Sequence, residues 1–334
     1  MVKILGSGLY VPGKSIKNSQ LADLAGIEFD GDRLEAKLGI KRRHIAHLRG
    51  MDETSADFAE KASLAALKDA GVSADDIDLF IAATDTPEYI SPATAILLQG
   101  RLQGKERYAD AFDIGASCAS FVKAFDTAAR IMATDSGINY ILLTGIYNMP
   151  AYVRPGDVFG YSIFADGAGV VVLGRPDEES GSKYIAGQML TDGTQYNYIG
   201  VYSGGTRQPV TKQRIADGEY GLQLLQRLPG DRNIQLWPKV IYRLLDKAGM
   251  NIADVDHFLF TQINKSVIAE VMGILGRSMD DTTCIMDRYG YTGSGCIPMA
   301  LHTAVDEGRI VRGDTVLTIA SGAGLAVGSN LFVY

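Results

Sequence analysis

The stretch AGVSADDIDLFI at residues 70–81 recurs as AGMNIADVDHFL at residues 248–259, with an Ala-Gly pair, two aspartates and a phenylalanine in common. Two further pairs of segments match at nearly the same offset: FD at 112–113 with MD at 286–287, and NYILLTG at 139–145 with DTVLTIA at 314–320. Internal repeats at a constant offset indicate a duplicated architecture. The repeat therefore predicts two related halves. The alternative is a chance match, because a helix that ends in Ala-Gly, followed by Asp-x-Asp and a strand, is common in α/β proteins.

Apolar residues around the first repeat alternate between helical and strand spacing. The pattern predicts helices at 54–71, 92–103 and 118–134, and strands at 77–84, 109–114, 139–145 and 168–173. Thr54 or Ser55 is the expected N-cap of the first helix, which ends at Gly71. Alternating helices and strands predict an α/β layered fold with a largely buried sheet.

The predicted halves span residues 1–174 and 175–334. A glycine-rich, polar segment at about 174–235 is predicted to be a linker followed by an insertion, which occupies about 185–235 of the second half. In a duplicated fold, the strand-to-helix loops at 115–118 and 289–293 are related by pseudo-symmetry and meet between the halves. Ligands commonly bind in such a crevice, outside the carboxyl ends of strands. We expect the functional site there.

Composition excludes several function classes. The 334 residues include 32 Lys and Arg against 39 Asp and Glu, a net charge of −7, so no general attraction to nucleic acid or anionic lipid is expected. Apolar runs stay well below the roughly 20 residues of a membrane span. Three cysteines without a C-x-x-C pair and four scattered histidines predict neither a disulfide framework nor a metal site. We therefore expect a cytoplasmic protein.

Cys118 is the strongest candidate for chemistry. It lies in FDIGASCASF at residues 112–121, where a predicted strand ends in small residues and a helix begins. Small neighbours let a bulky group approach the sulfur, and a helix N-terminus lowers a thiol pKa and supplies N–H donors. Buried packing is the alternative for Cys118, because cysteine is among the most buried residue types. It is the expected role of Cys284 and Cys296, which lack this setting.

Two glycine-rich segments recur once per half, ADGAGVVVLG at residues 165–174 and ASGAGLAVGS at residues 320–329. Neither is followed by G-K-[ST] or opens a helix after a strand, so a nucleotide phosphate loop is disfavoured. Backbone N–H groups of the second segment are candidates for binding a developing oxyanion. Close packing of glycine against a sheet explains both segments equally well.

The chain resembles the β-ketoacyl-acyl-carrier-protein synthase III branch of the thiolase superfamily. The resemblance runs through ILGSGLYVP, LGIKRRHIA at 38–46, ETSADFAEKAS at 53–63, DIDLFIAATDTPEYISPATA at 76–95, FDIGASCASF, FADGAGVVVL at 164–173 and ASGAGLAVG. It implies a thiolase-like, five-layered αβαβα fold of two pseudo-symmetric halves and a homodimer. It also implies that acyl-CoA or an acyl carrier phosphopantetheine is the substrate, with no cofactor.

The resemblance assigns roles to individual residues. Cys118 falls where the family carries its acyl-accepting nucleophile, and the N–H groups of Cys118 and Gly324 would form the oxyanion hole. The family also uses a histidine and an asparagine, but here Thr261 in TQIN and Tyr291 in YGYTG stand in those places. Neither reproduces the imidazole and amide donors that stabilise the carbanion left by malonyl decarboxylation. His302, expected to be exposed on a helix, does not obviously replace them.

The same resemblance locates the substrate channel. Arg33 and Lys37 stand where the family often holds the coenzyme A nucleotide, and Phe164, Asn264 and Lys265 are assigned to substrate binding. Four basic residues form a predicted patch for an acidic carrier or coenzyme A, with a solvated face as the alternative: Arg33, Lys37, Arg42 and Arg43. Ser91 stands where the family often has a bulky residue that caps a partner's acyl pocket, which predicts a longer or wider tunnel.

Three functions remain open from the sequence. The first is an acyltransferase that forms an acyl-enzyme on Cys118 and transfers the acyl group, in fatty-acid-like or secondary-metabolite biosynthesis, without standard malonyl decarboxylation. The second is a conventional 3-oxoacyl-acyl-carrier-protein synthase III that condenses with Thr261 and Tyr291 in place of the usual partners. The third is a non-catalytic subunit of a heterodimeric ketosynthase.

Overall fold

The computed structural model describes residues 2–105, 107–176 and 181–334. Its helices are α1 Asn18–Ala25, α2 Gly31–Leu38, α3 Ser55–Ala70, α4 Thr94–Gln103, α5 Ser120–Thr134, α6 Val158–Ile163, α7 Lys212–Ala216, α8 Arg232–Ala248, α9 Lys265–Ile274, α10 Met286–Tyr289 and α11 Cys296–Asp306. Its strands are β1 Lys3–Tyr10, β2 Ile16–Lys17, β3 Arg42–Arg43, β4 Leu79–Ala83, β5 Asp110–Ile114, β6 Tyr140–Tyr147, β7 Gly167–Gly174, β8 Lys183–Gln195, β9 Ile199–Val201, β10 Leu222–Leu224, β11 His257–Phe260, β12 Thr315–Gly322 and β13 Gly324–Val333. The predicted linker includes residues 177–180, which lie outside the described residues.

The first half contains a sheet with the strand order β1-β7-β6-β4-β5. β4 pairs in parallel with β5 and β6, whereas β7 pairs antiparallel with β6 and β1. β4 and β7 are buried along their whole length, which explains their apolar sequences LFIAA and GAGVVVLG. The strands predicted for this half are confirmed, and their ends differ from the prediction by at most two residues.

The second half repeats this arrangement with the strand order β8-β13-β12-β11. β12 pairs in parallel with β11 and antiparallel with β13, and β13 pairs antiparallel with β8. These four strands therefore correspond to β1, β7, β6 and β4, and the prediction of two pseudo-symmetric halves is confirmed. Because β8 continues to Gln195, the inserted segment starts after that residue and not at the predicted residue 185.

The larger helices form three layers around the two sheets. α5 packs against β4 and β6 of the first sheet and against β13 of the second, and α11 likewise contacts β7 and β11. α3 and α4 cover the outer face of the first sheet, while α8 and α9 pack on the second. The five-layered αβαβα architecture is confirmed. Within the described residues, no helix is long and apolar enough to cross a membrane.

The ends of α3 follow from its local sequence. Thr54 and Asp57 form a capping box at its start, and Gly71 ends it with a φ of 65°.

His302 lies on α11, and the expectation that it is exposed was wrong. The ring is half-buried and its Nδ1 lies 2.9 Å from Ser7 Oγ of the other half. A helix packed between two sheets leaves few of its residues in contact with solvent.

Candidate active site

A cavity of about 540 Å³ lies between the two halves, at the carboxyl ends of their parallel strands. Its wall includes Asp85 after β4 and Cys118 after β5 from the first half, with Thr261 after β11 and Gly322 at the end of β12 from the second. The crevice that the repeat predicts is therefore present. Part of the inserted segment, between residues 196 and 233, supplies another side of the wall.

Cys118 lies in a tight turn between β5 and α5. Ser117, just before it, has a φ of 51°, in a left-handed region that residues with a Cβ rarely adopt. The N–H of Ala116 donates to Ser120 Oγ over 2.8 Å, and this turn delays the start of α5 to Ser120 from the predicted residue 118. Cys118 lines the cavity from this turn with 9% of its surface exposed.

Burial sets the charge state of the Cys118 thiol. It raises the pKa to about 12, with a further contribution from the nearby carboxylate of Asp85. Hydrogen bonds from the hydroxyls of Tyr291, Ser117 and Tyr147 act in the opposite direction. The sequence predicted that the start of α5 lowers the pKa of this thiol. That prediction was wrong, because burial raises the pKa by more than the hydroxyl donors lower it. The thiol is protonated at neutral pH, so its attack on a substrate requires the loss of a proton.

The two loops that pseudo-symmetry predicts to meet do so through Tyr291 and Cys118. Tyr291 and Tyr147 are both buried beside the Cys118 thiol, and their hydroxyls act to lower its pKa. The Tyr291 ring packs against Phe164 and Tyr147, with centroid distances of 5.8 and 6.2 Å. Burial raises the pKa of both tyrosines well above 10, so their hydroxyls remain protonated hydrogen-bond donors.

Thr261 lines the cavity at the end of β11. Its Oγ1 accepts the N–H of Ser321 over 2.9 Å, which links the end of β11 to the end of β12. The amide of the next residue, Gln262, is committed elsewhere, because its Nε2 donates to the carbonyl oxygens of Phe260 and Thr283. The Thr261 segment therefore presents a hydroxyl to the cavity and no imidazole.

The backbone of the second half packs directly on the turn that carries the cysteine. A Cβ on Gly322 would lie 2.7 Å from Ala116 O and 2.8 Å from Cys118 N, so only glycine fits this contact. Gly324, with a φ of 127°, also lines the cavity. The glycines of ASGAG thus allow the two halves to approach each other at the sulfur.

Exposed basic residues gather where α2 meets α9. Arg33 and Lys37 are exposed one helical turn apart on α2, and Lys265 is exposed at the start of α9. Ser266 Oγ donates to Lys37 O over 2.6 Å, which holds the two helices together. Asn264, the N-cap of α9, lines the cavity, so this group of cations lies beside it.

Arg43 does not belong to this exposed group, and its prediction as part of the patch was wrong. The side chain is fully buried, and its Nη2 donates to Asn18 Oδ1 over 2.7 Å and to Ser162 O over 2.9 Å. The other three basic residues of the predicted patch are exposed.

Two other predicted substrate residues differ in position. Phe164 lines the cavity, whereas Ser91 is exposed and does not line it.

Sequence reasoning missed Asp85, Tyr147 and Arg232, which all line the cavity. Asp85 follows a predicted strand as Cys118 does, and this shared position is a signal that was available. Tyr147 lies in an apolar strand sequence, and a tyrosine in such a sequence indicates packing and not chemistry. Arg232, which donates to Gln195 Oε1 over 3.1 Å, lies in the polar insertion, where nothing in the sequence marks it.

His257 is buried on β11, outside the cavity wall, and its Nε2 lies 2.9 Å from Thr283 Oγ1. Burial, followed by the charge of Arg309, lowers its pKa to about 4. The ring is therefore neutral in the folded protein at pH 7. In the described part of the chain, no histidine lines the cavity.

We expect the substitution His257→Gln to make the protein less sensitive to acid. The unfolded state binds a proton at His257 near pH 6.5, whereas the folded state does so only near pH 4. Stability from this group is fully present above pH 6.5 and is lost as the pH falls to 4, by roughly 3 kcal/mol. Urea unfolding at several pH values measures the free energy of unfolding, and below pH 6.5 it should fall less steeply in the variant than in the wild type. An equal pH dependence for the two proteins would contradict the lowered pKa of His257.

Comparison with known proteins decides the family. Residues 112–193 match the family model described as 3-oxoacyl-[acyl-carrier-protein] synthase III, and residues 245–334 match the model for its C-terminal part. A β-ketoacyl-[acyl-carrier-protein] synthase III of Xanthomonas campestris pv. campestris is 31% identical over 339 residues, covering 99% of this chain and 98% of that protein. The chain belongs to the 3-oxoacyl-[acyl-carrier-protein] synthase III family.

Solved structures of synthase III proteins share the whole fold. The enzyme from Aquifex aeolicus superposes with a TM-score of 0.86 at 29% identity and complete coverage of both chains. A priming β-ketosynthase of the R1128 polyketide pathway shares the fold, with a TM-score of 0.86 at 24% identity, 100% coverage of this chain and 96% of that one. This synthase III family member is thus an acyltransferase-type enzyme with a thiolase-like fold. Its described residues contain no cluster of three or more potential ligands for a metal ion.

Proposed function

We propose that Cys118 attacks an acyl thioester, carries the acyl group as an acyl-enzyme and passes it to an acceptor without malonyl decarboxylation. The proposal rests on one observation: a cysteine lies in the wall of a cavity, and the side-chain donors around its sulfur are hydroxyls. Splitting a transfer into two steps through a covalent intermediate is what a nucleophilic cysteine offers.

The first half-reaction forms a bond between Cys118 Sγ and the acyl carbonyl carbon. The bond to the donor sulfur breaks, and coenzyme A or a carrier phosphopantetheine leaves as the thiol. Negative charge on the carbonyl oxygen would be met by the N–H groups of Cys118 and Gly324, which both belong to cavity-lining residues. Tyr291 and Tyr147 donate to the sulfur and stabilise its thiolate form.

The proposal excludes malonyl decarboxylation because of what Thr261 and Tyr291 lack. Carbon dioxide loss leaves a carbanion whose oxygen needs strong donors, and Thr261 offers only one neutral hydroxyl, whose oxygen accepts the N–H of Ser321. The second candidate is a conventional condensing enzyme, which the names of the relatives favour. In that case Tyr291 and Tyr147, both neutral donors, would have to stabilise the carbanion.

The cavity wall and the nearby cations support a thioester donor with an apolar acyl group. Aromatic and aliphatic side chains line much of the cavity, among them Met149, Phe159, Ile163 and Leu222. Arg33, Lys37 and Lys265 offer positive charge to the phosphates of coenzyme A or to the acidic surface of an acyl carrier protein. No resident cofactor is needed for this chemistry.

We further propose that the enzyme is a cytoplasmic homodimer. Three free thiols suit a reducing compartment. β5 is an edge strand of its sheet, and the exposed apolar residues Tyr89, Ile90 and Ile96 belong to the connection and helix before it. Pairing of two such edges would cover them. A sedimentation experiment that finds only monomers at micromolar concentration would contradict the dimer.

Intact-protein mass spectrometry tests the acyl-enzyme directly. The protein is incubated with a panel of acyl-CoAs of increasing chain length and with acylated carrier protein, and the mass gain is assigned by peptide mapping. We expect an adduct on Cys118 for at least one medium-chain donor. If no donor yields an adduct, the proposal fails and the alternative of a non-catalytic subunit gains support. Acylation by acetyl-CoA alone would contradict the wider tunnel expected from Ser91.

The substitution Tyr291→Phe is expected to slow acylation about 10-fold at pH 7. Removing the hydroxyl takes away a donor to the Cys118 sulfur, which raises the pKa of the thiol. Initial rates of adduct formation measure the effect. Tyr242→Phe is the matched control, because Tyr242 is exposed on α8 and does not line the cavity. Equal rates for the two variants would show that the Tyr291 hydroxyl only fills space.

A further inference from the structure

Asp85 has an unexplained position in the wall of the active cavity. Its Oδ2 accepts a hydrogen bond from Ser117 Oγ over 3.0 Å. Its Oδ1 is buried and has no hydrogen-bond partner among the described residues. Burying a carboxylate oxygen without a partner is unfavourable and calls for an explanation, and such groups are enriched at functional sites.

Ser117 connects this carboxylate to the nucleophile. Its Oγ lies 3.0 Å from Asp85 Oδ2 and 3.9 Å from Cys118 Sγ. The hydroxyl has one proton and can donate it to either neighbour. The shorter contact is to Asp85 Oδ2, and while the proton is donated there, the lone pairs of Oγ can accept the proton of the thiol; once the thiolate forms, the hydroxyl can donate to the sulfur instead. The strained φ of 51° at Ser117 holds the hydroxyl between the two groups.

We propose that Asp85 takes up the proton of the Cys118 thiol through Ser117 when the cysteine attacks its substrate. The inference deepens the proposed function and rests on Cys118 being the nucleophile. The S–H proton moves to Ser117 Oγ while the Ser117 O–H proton moves to Asp85 Oδ2. The sulfur lone pair forms the new C–S bond as the bond to the donor thiol breaks, and the departing thiolate recovers the proton from Asp85.

The surroundings of Asp85 suit a group that gains and loses a proton near neutrality. Burial raises its pKa to about 6. The titratable groups that face it are the Cys118 thiol, the phenol of Tyr147 from β6 and the phenol of Tyr152 from the following turn. Glu88, on the same loop as Asp85, also acts on Tyr152, and its carboxylate accepts from Thr54 and from the N–H of Ala56.

A purely electrostatic role for Asp85 makes the opposite prediction. Its negative charge raises the pKa of the Cys118 thiol. If that were its whole effect, removing the charge would give more thiolate and a faster reaction at pH 7. A proton relay gives a slower reaction when Asp85 is replaced, because the thiol then has no acceptor for its proton. The sign of the change therefore separates the two roles.

The test is the rate of alkylation of Cys118 by iodoacetamide between pH 5 and 9, resolved by peptide mass spectrometry. We expect the wild type to show an inflection near the pKa of about 6 of Asp85. In Asp85→Asn, alkylation at pH 7 should be at least about 10-fold slower, and the inflection should be absent. A rate equal to or faster than that of the wild type would overturn the proposal. Cys284, half-buried outside the cavity, is the internal reference in every sample.

Two further variants keep the proposal testable if Asp85→Asn fails to fold. Ser117→Gly keeps the Asp85 charge, tolerates the left-handed backbone and should lose the inflection as Asp85→Asn does. Asp166→Asn removes a buried carboxylate that bonds Ala46 and Asn148 and does not line the cavity, and it should keep the inflection. Ser117→Gly with an unchanged profile would overturn the relay even if Asp85→Asn failed to fold.

The alkylation assay is independent of the acyl-transfer proposal. If no thioester acylates the wild type but the alkylation profile behaves as expected, the proposed function fails and the relay stands. If the wild type is acylated and Asp85→Asn is alkylated at least as fast as the wild type, the relay alone fails.

Discussion

Replacing Cys118 by alanine is expected to abolish the acyl-enzyme and to lower acyl transfer by at least about 10³-fold. The sulfur is the only atom in the proposed mechanism that bonds to the acyl group. The turn around Cys118 is fixed by backbone contacts and by Ser120, so the fold should survive the loss of one thiol. Intact mass after incubation with acyl-CoA measures the adduct, and thermal unfolding checks the fold.

Cys284→Ala is the matched control for this experiment. Cys284 is half-buried, does not line the cavity and has a pKa raised to about 11 by burial, so its thiol is also protonated at neutral pH. The control should acylate as the wild type does. An adduct that persists in Cys118→Ala would show that another group accepts the acyl chain.

Replacing Gly322 by alanine is expected to reduce acylation about 100-fold, because small displacements of a nucleophile have effects of this size. The added methyl group would lie 2.7 Å from Ala116 O, 2.8 Å from Cys118 N and 2.9 Å from Ser117 Cβ. Two of these atoms belong to the backbone and cannot rotate away, so the turn itself must shift. We also expect a loss of stability of about 1–3 kcal/mol from overpacking.

Gly273→Ala is the control with the opposite expected sign. Gly273 lies within α9, and an added Cβ meets nothing within 4 Å. Alanine there should raise stability by about 0.5–1 kcal/mol and leave acylation unchanged. Measuring both variants by denaturant unfolding and by adduct formation separates a local effect at the cysteine from a general effect of glycine replacement. Wild-type acylation in Gly322→Ala would contradict the close packing described here.

The fold was predictable because it depends on patterns that are local in sequence. The match between residues 70–81 and 248–259 places β4 and β11 at equivalent positions, and short buried strands keep unbroken apolar sequences. Pseudo-symmetry also predicted that the loops of Cys118 and Tyr291 meet, since equivalent strand ends of both halves face one crevice.

Other features of the site depend on contacts between distant segments and had no sequence signal. Arg43 is surrounded by Asn18 and Ser162, which no local pattern brings together. The direction of the thiol pKa shift depends on the burial of Cys118 and on its distance from Asp85. The sequence of the insertion predicts only a polar connection. In the structure, its strands β9 and β10 pair with each other, and the segment covers one side of the cavity.

One measurement tests the central claim most directly. The acyl-enzyme is formed from a medium-chain acyl-CoA, and malonyl-CoA labelled with carbon-14 in its free carboxylate is added, with Cys118→Ala as the background. We predict that the adduct stays on Cys118 and that labelled carbon dioxide does not exceed the background. Labelled carbon dioxide released in step with loss of the adduct would contradict the claim and identify a conventional condensing enzyme.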